Sequence, residues 1–252
     1  MKKVFITGVS SGIGKELALE YAKKNYFIGL VARRNNLLNE VAEKCKNLGS
    51  KTIVYELDVQ NREQCEKVIK QFLKDAGGVD CVIANAGIGG DDNIFSGSSK
   101  SINNILGTNI NGVTNTLMPF IPYMKSQKYG SLVCISSVAS YLPLPFHGGY
   151  SSSKIAIRRI FDSWRPSLHK YNINLISICP GFIDTPMVKG PARNFPLKKA
   201  NEAAKSFINA IENRKHNFVY PRYYYLLIWL FTLTPFWFYN WFIKKMFSKP
   251  FN

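Results

Sequence analysis

The sequence predicts a doubly wound α/β fold, a parallel sheet of about seven strands with helices on both faces, followed by a hydrophobic C-terminal extension. Three observations predict it. Between Lys3 and Tyr220, short β-branched or apolar runs alternate with longer amphipathic stretches, the pattern of stacked βαβ units. The first run ends in a cluster of glycines that opens directly into an amphipathic stretch. The last 30 residues lose the alternation and become aromatic. A chain of 252 residues can bury one large core, so one domain is expected over residues 1–221, with a separate tail over 222–252.

Taken in order, the strand runs are residues 4–7, 27–32, 52–57, 79–85, 130–136, 174–180 and 218–220. Continuous apolar character marks strands covered on both faces. Helical patterns lie between them at 15–24, 62–74, 101–124 and 151–171, and right-handed crossovers would stack these units into one sheet.

Composition narrows the function. Apolar residues make up 46% and charged residues 19%, as in a folded globular protein rather than a disordered one. Thirty-three Lys and Arg against sixteen Asp and Glu give +17, which favours something acidic: a phosphorylated cofactor, anionic lipid, an acidic carrier protein or nucleic acid. No nucleic-acid recognition motif accompanies the charge, so no nucleic-acid partner is expected. The five cysteines, Cys45, Cys65, Cys81, Cys134 and Cys179, are odd in number and lack paired metal-ligand spacing. They read as reduced, small hydrophobes in a cytoplasmic protein without a metal site. The apolar stretch before the first glycines is too short for a signal peptide or a membrane span.

Thr7-Gly8-Val9-Ser10-Ser11-Gly12-Ile13-Gly14 joins the first strand to the first helical pattern. Glycines here permit a tight turn and let backbone N–H groups approach a pyrophosphate at a helix N-terminus, whose partial charge is positive. At the end of the second strand the chain reads Val31-Ala32-Arg33-Arg34. An acid there would bind the ribose hydroxyls of NAD, whereas arginine accommodates the extra phosphate of NADP.

Tyr150 and Lys154 are four residues apart, so on a helix they share a face. A phenol titrates near pH 10, and a neighbouring cation, together with the positive nicotinamide ring of an oxidised cofactor, lowers that value, so that it can exchange a proton with a carbonyl or alcohol. Fourteen and thirteen residues upstream of Tyr150, Ser136 and Ser137 end the fifth strand, on the edge where open α/β sheets bind ligands.

With TGxxxGxG rather than GxGxxG spacing, and with YxxxK and the serines downstream, the chain resembles the short-chain dehydrogenase/reductase family over roughly residues 3 to 190. The resemblance implies a Rossmann-like domain binding NADP(H), with Gly8, Ser10, Ser11, Gly12, Ile13 and Gly14 around the phosphates and Arg33 at the 2′-phosphate, helped by Ser10 and Arg34. It implies Asp58 and Val59 at the adenine, and Asn85, Ala86 and Gly87 beside the cofactor, with Ala84 where many members have Asn. Pro180, Gly181, Ile183 and Thr185 would meet the nicotinamide. The implied catalytic set is Asn109, Ser137, Tyr150 and Lys154, with Asn111 as an alternative register for Asn109. Helices 101–124 and the one after Tyr150 would mediate a homodimer or homotetramer.

Around this cleft the loop Tyr141 to His147, with Met187 and Val188, is mostly apolar, which suggests a lipophilic carbonyl substrate. His147 could bond that substrate or serve structure. Asp91 and Asp92 read as solvated loop residues. Residues 189–222 hold eight Lys or Arg and two acids, and residues 223–243 hold no charge and eleven aromatics, before Lys244 and Lys245. Twenty-one helical residues would just span a bilayer, but Pro235 interrupts them and Trp and Tyr run along the whole length. A broken hairpin lying in the interface on the cytoplasmic side is expected, with a lid or oligomer contact as the alternative. The leading reading is thus a membrane-associated NADPH-dependent reductase. A 3-oxoacyl carrier-protein reductase and a non-catalytic NADP-binding sensor or scaffold are its rivals.

Overall fold

The computed structural model describes residues 1–142, 144–235, 237, 238 and 241. Its strands are β1 (Lys3–Thr7), β2 (Phe27–Ala32), β3 (Lys51–Glu56), β4 (Cys81–Ala84), β5 (Gly130–Ile135), β6 (Ile173–Pro180), β7 (Ile183–Asp184), β8 (Lys198–Lys199) and β9 (Asn217–Tyr220). Seven form one parallel sheet in the order β3-β2-β1-β4-β5-β6-β9, and β7 pairs with β8 in a small second sheet. The order reverses between β1 and β4, which opens a crevice at their carboxyl ends.

The helices are α1 (Gly12–Ala22), α2 (Asn35–Asn47), α3 (Arg62–Ala76), α4 (Lys100–Leu106), α5 (Gly112–Leu117), α6 (Ile121–Gln127), α7 (Gly148–His169), α8 (Ala200–Glu212) and α9 (Tyr224–Thr232). Because side chains alternate across a strand, β1 feeds two cores. Val4 and Ile6 pack with Leu17, Tyr21, Leu38 and Phe207 of α1, α2 and α8, while Phe5 packs with Phe72, Phe120 and Phe161 on the other face. Each such fully buried side chain contributes about 1.5–3 kcal/mol.

Two of the helices, α2 and α8, have no counterpart among the helical patterns read from the sequence. Each buries a stripe at helical spacing, Leu38, Val41, Ala42 and Cys45 in α2, but two asparagines open α2 and weaken its signal. The expected helix over 101–124 is not continuous. After α4 come a π-helical turn (Gly107–Asn111), α5, a 3-10 turn (Met118–Phe120) and α6. Pro119 and Pro122 each lack the N–H that a continuous helix needs. All five cysteines are buried and unpaired.

The first arm of the tail is docked to the body. Ile228 of α9 packs with Cys179 and Val219, and the Tyr225 hydroxyl accepts from Val219 N–H and donates to the Asn217 carbonyl, both at 3.1 Å. These two bonds satisfy backbone groups of edge strand β9. Leu226, Trp229, Leu230 and Leu233 face outward. Among the described residues no helix is long and apolar enough to cross a membrane. Most of the second arm expected after Pro235, with Lys244 and Lys245, lies outside the described residues, as does Pro143.

Candidate active site

The glycine turn sits at the carboxyl end of β1, beside the crevice. Gly8 and Gly12 have φ of +75° and +58°, a region costly to any residue with a Cβ. A methyl group on Gly8 would lie 2.7 Å from Ala86 Cα, and one on Gly14 would overlap the Gly8 carbonyl and the Asn85 amide. Asn85 is the brace of this turn: its Nδ2 donates to the Thr7 carbonyl at 2.9 Å and the Gly8 carbonyl at 3.1 Å. The Thr7 hydroxyl accepts from the N–H groups of Asn85 and Ala86. The bare backbone of Gly8 to Gly14 forms a cradle at the N-terminus of α1 that fits the pyrophosphate of a dinucleotide.

Polar groups gather at the outer rim. Arg34 donates to the hydroxyls of Ser10 at 2.8 Å and Ser11 at 2.9 Å, while Arg33 approaches Asp58 at 3.5 Å. Sequence spacing singles out Arg33, yet Arg34 is the one tied to the glycine turn. Val59 is buried against Gly112, and its carbonyl accepts from Asn115 at 2.9 Å.

The residues read from the sequence as catalytic converge from three elements. The π turn carries Asn109, which is 0% exposed. Its Oδ1 accepts from Ile88 N–H, and its Nδ2 donates to the Ile88 carbonyl and the Ser153 hydroxyl. The wider turn rather than a regular helix therefore sets this side chain, as π-bulges often do at functional positions. Gly87 makes room, since a methyl there would stand 3.1 Å from Asn109 Oδ1 and 3.3 Å from Lys154 Nζ. Asn111, the alternative register, is the last residue of the π turn and is exposed, outside the cluster.

Ser137 follows β5 and accepts from Ala139 N–H at 3.1 Å. Its neighbour Ser136 turns away and bonds the Lys154 carbonyl at 2.9 Å. Lys154 Nζ, buried, donates to the Ile135 carbonyl at 2.8 Å and lies 5.6 Å from the centroid of the Tyr150 ring. Burial pulls the Lys154 ammonium down to about 8. In the protein itself the Tyr150 phenol stands above its ordinary value. Burial raises it, and a hydrogen bond to Ser137 counters only part of the rise.

The segment after β6 closes the cleft. Gly181 N–H bonds the Tyr220 carbonyl at 2.7 Å, and any side chain at Gly181 would overlap the Tyr224 ring of α9. Ile183 is buried, and Thr185 borders Gly12, so the two loops meet. Met187 and Tyr150 both lie 3.8 Å from where a side chain on Gly89 would begin.

One reading needs correction. Asp91 is exposed, but Asp92 is 6% exposed and accepts from Gly149 N–H at the start of α7, at 3.0 and 3.1 Å. His147 Nδ1 meets the Gly90 carbonyl at 2.7 Å, a structural contact. The signal for Asp92 was a helix beginning Gly148-Gly149 with no side-chain cap of its own.

Fold and site define a nicotinamide-dependent oxidoreductase of the Rossmann type. The chain belongs to the short chain dehydrogenase family, whose profile matches residues 2–194. Members of that family are oxidoreductases acting on CH–OH or C=O groups. The chain is 38% identical over 189 residues to 11-beta-hydroxysteroid dehydrogenase-like 3 of Arabidopsis thaliana, covering 74% of this chain and 60% of that protein. The chain thus spans less than two thirds of that relative. Against the 3-oxoacyl acyl-carrier-protein reductase FabG of Thermotoga maritima, identity is 31% over 209 residues, covering 82% of each. Among solved structures, the alcohol dehydrogenase of Thermococcus sibiricus complexed with 5-hydroxy-NADP superposes with a TM-score of 0.79 at 28% identity, covering 87% of this chain and 95% of that one. A short-chain dehydrogenase from Burkholderia phymatum in complex with NAD shares the fold, with a TM-score of 0.84 at 21% identity, covering 90% and 91%.

Proposed function

We propose that this chain uses NADP(H) to reduce the carbonyl of a lipophilic ketone or aldehyde, or to oxidise the matching alcohol, beside a membrane on its cytoplasmic side. The observation that carries the reading is the cluster itself: the Tyr150 phenol on Ser137, Lys154 held below it, and Asn109 buried behind. The nicotinamide, when bound, supplies or accepts the hydride. Tyr150 gives its proton to the carbonyl oxygen in reduction and takes it back from the alcohol in oxidation. Ser137 orients that oxygen, and the Lys154 charge eases the phenolate. Gly8, Ser10, Ser11, Gly12, Ile13 and Gly14 would hold the phosphates, with Asp58 and Val59 at the adenine. Asn85, Ala86, Gly87, Pro180, Gly181, Ile183 and Thr185 would border the nicotinamide.

NADP(H) is supported by Arg33 and Arg34 beside Ser10 at the end of β2, where no acid stands. A lipophilic substrate is supported by Met187, which with Tyr150 flanks Gly89, and by the hydroxysteroid dehydrogenase relative. Membrane contact is supported by the outward Leu226, Trp229, Leu230 and Leu233, with cations preceding them in the chain. Exposed Met118 and Ile155, near the helices named for self-association, support an oligomer. The FabG relative and the +17 charge favour a second reading, a reductase of acyl groups on an acidic carrier.

NADPH oxidation in detergent, across methyl ketones of rising chain length and an acetoacetyl carrier-protein thioester, tests both. Rising kcat/KM with length supports the first; preference for the thioester selects the second; oxidation with none of them would favour the sensor reading. Replacing Leu226, Trp229, Leu230 and Leu233 with serine should release the protein from anionic vesicles while keeping the docked Tyr225 and Ile228.

A further inference from the structure

We propose that Asp92 is a positioning residue: from the loop after β4 it caps the helix that carries Tyr150 and Lys154, and so sets where the phenol stands. The proposal rests on the reading of Tyr150 as the acid and base.

A helix begins with N–H groups that have no partner inside it, and these are usually met by a side chain just upstream. In α7 that position is His147, whose side chain caps nothing. The partner comes from 57 residues earlier, where both carboxylate oxygens of Asp92 face Gly149 N–H. A carboxylate also suits the positive end of a helix.

The glycine pair before Tyr150 is the counterpart of this arrangement. A side chain on Gly148 would start 3.0 Å from Asp92 Oδ2, and one on Gly149 would start 2.9 Å from Oδ1 and 2.7 Å from Ile102. Gly148 and Gly149 admit the carboxylate, and Tyr150 is the next residue.

The loop is itself anchored, so Asp92 transmits a fixed position. Asp92 N–H donates to the Phe146 carbonyl at 2.8 Å. His147 Nδ1 meets the Gly90 carbonyl at 2.7 Å, and since a carbonyl only accepts, Nδ1 carries the proton there. At the other end Asn109 grips both backbone groups of Ile88. Between these anchors Gly89 runs beside the Tyr150 ring. One short loop thus ties the π turn holding Asn109 to the first turn of α7.

The test compares three variants. Asp92→Ala should lower kcat about 10- to 100-fold, the effect of a small misplacement of a reacting group, while cofactor Kd and substrate KM stay within about twofold. Asp92→Asn keeps an acceptor and should recover most of the loss. Asn61→Ala removes the cap of α3, where Asn61 accepts from Gln64 N–H, and should cost stability without touching kcat. A second readout needs no substrate: with 13C-labelled tyrosine, the ring signal assigned through Tyr150→Phe should shift and broaden in Asp92→Ala, return in Asp92→Asn and stay unmoved in Asn61→Ala. The proposal is overturned if Asp92→Ala leaves that signal in place, if Asp92→Asn behaves as Ala does, or if Asn61→Ala reproduces the change. Absence of turnover on any carbonyl would defeat the functional reading instead, and the tyrosine signal would still decide the position.

Discussion

At the nucleotide end of the cleft the chain removes side chains, and at the catalytic end it buries them. Gly8, Gly12 and Gly14 leave bare backbone beside α1, and the groups around them, Ser10, Ser11, Arg33, Arg34 and Asp58, are tied by exposed polar contacts. Eight residues in a row write most of that end. At the other end Asn109, Ser137 and Lys154 are all under 9% exposed, come from three separate elements, and are tied through one another's neighbours: Asn109 bonds Ser153, and Lys154 bonds Ile135 and Ser136. The first end is a local conformation. The second exists only when β4, β5, the π turn and α7 are packed together, and burial then changes the chemistry of its groups. The comparison teaches that damage should differ in kind: loss of affinity at one end, loss of rate at the other.

The sharpest way to break that division is Tyr150→Phe, which should cut kcat about 10²- to 10⁴-fold while NADPH binding, measured by fluorescence titration, hardly moves. Equal losses in both would mean a folding defect and erase the contrast. At the opposite end, Gly14→Ala forces a methyl into the Gly8 carbonyl and the Asn85 amide. Overpacking of about 1–3 kcal/mol is expected, equivalent to about 5- to 150-fold in cofactor affinity if the turn yields before the fold does. An unchanged Kd would show that the bare backbone is not what the cofactor needs.

Arg33→Asp sharpens the picture within the nucleotide end. The ratio of KM for NADPH to KM for NADH should rise about 10- to 100-fold, the worth of charged hydrogen bonds to a phosphate. The same experiment with Arg34→Asp asks whether the arginine already tied to Ser10 and Ser11 carries the larger share. If neither change moves the ratio, the preference for NADP(H) falls.

The smallest effect concerns stability. Burial pulls Lys154 from its ordinary 10.5 to about 8 in the fold. Below about pH 8 the lysine is charged folded and unfolded, and the fold bears the cost of burying it. Between about 8 and 10.5 the folded protein has released the proton and the unfolded chain still holds it, so stability rises with pH across that window. Measured against Lys154→Met by denaturant midpoints, the wild type should gain about 1–3 kcal/mol over the window. A flat difference would mean that the ammonium is better solvated than its burial implies.

Much of this could be read from the residues because the repeating unit is local. Strand runs, the glycine turn and the YxxxK pair each depend on spacings within a few residues. Errors fall where distant segments meet. The run 101–124 has helical periodicity, but Pro119 and Pro122 and the π turn divide it, and the π turn is what aims Asn109. Asp92 looked solvated because its partner, Gly149 N–H, belongs to a helix 57 residues away. Burial raises the Tyr150 phenol, and its hydrogen bond to Ser137 offsets only part of the rise.

The tail divides in the same way. Its aromatic, uncharged composition is plain in the residues, yet nothing in that pattern says which faces turn inward. Packing settled it: Tyr224 covers Gly181, Tyr225 satisfies the edge of β9, and Ile228 seals Cys179 and Val219. Periodicity and spacing report what a segment does with its own neighbours, and so they determined the fold class, the glycine turn and the identity of the Tyr150 and Lys154 pair. Which carboxylate caps α7, which arginine meets the serines and which way the phenol titrates are free energies between segments far apart in the chain, and they take a value only once the sheet has brought those segments into contact.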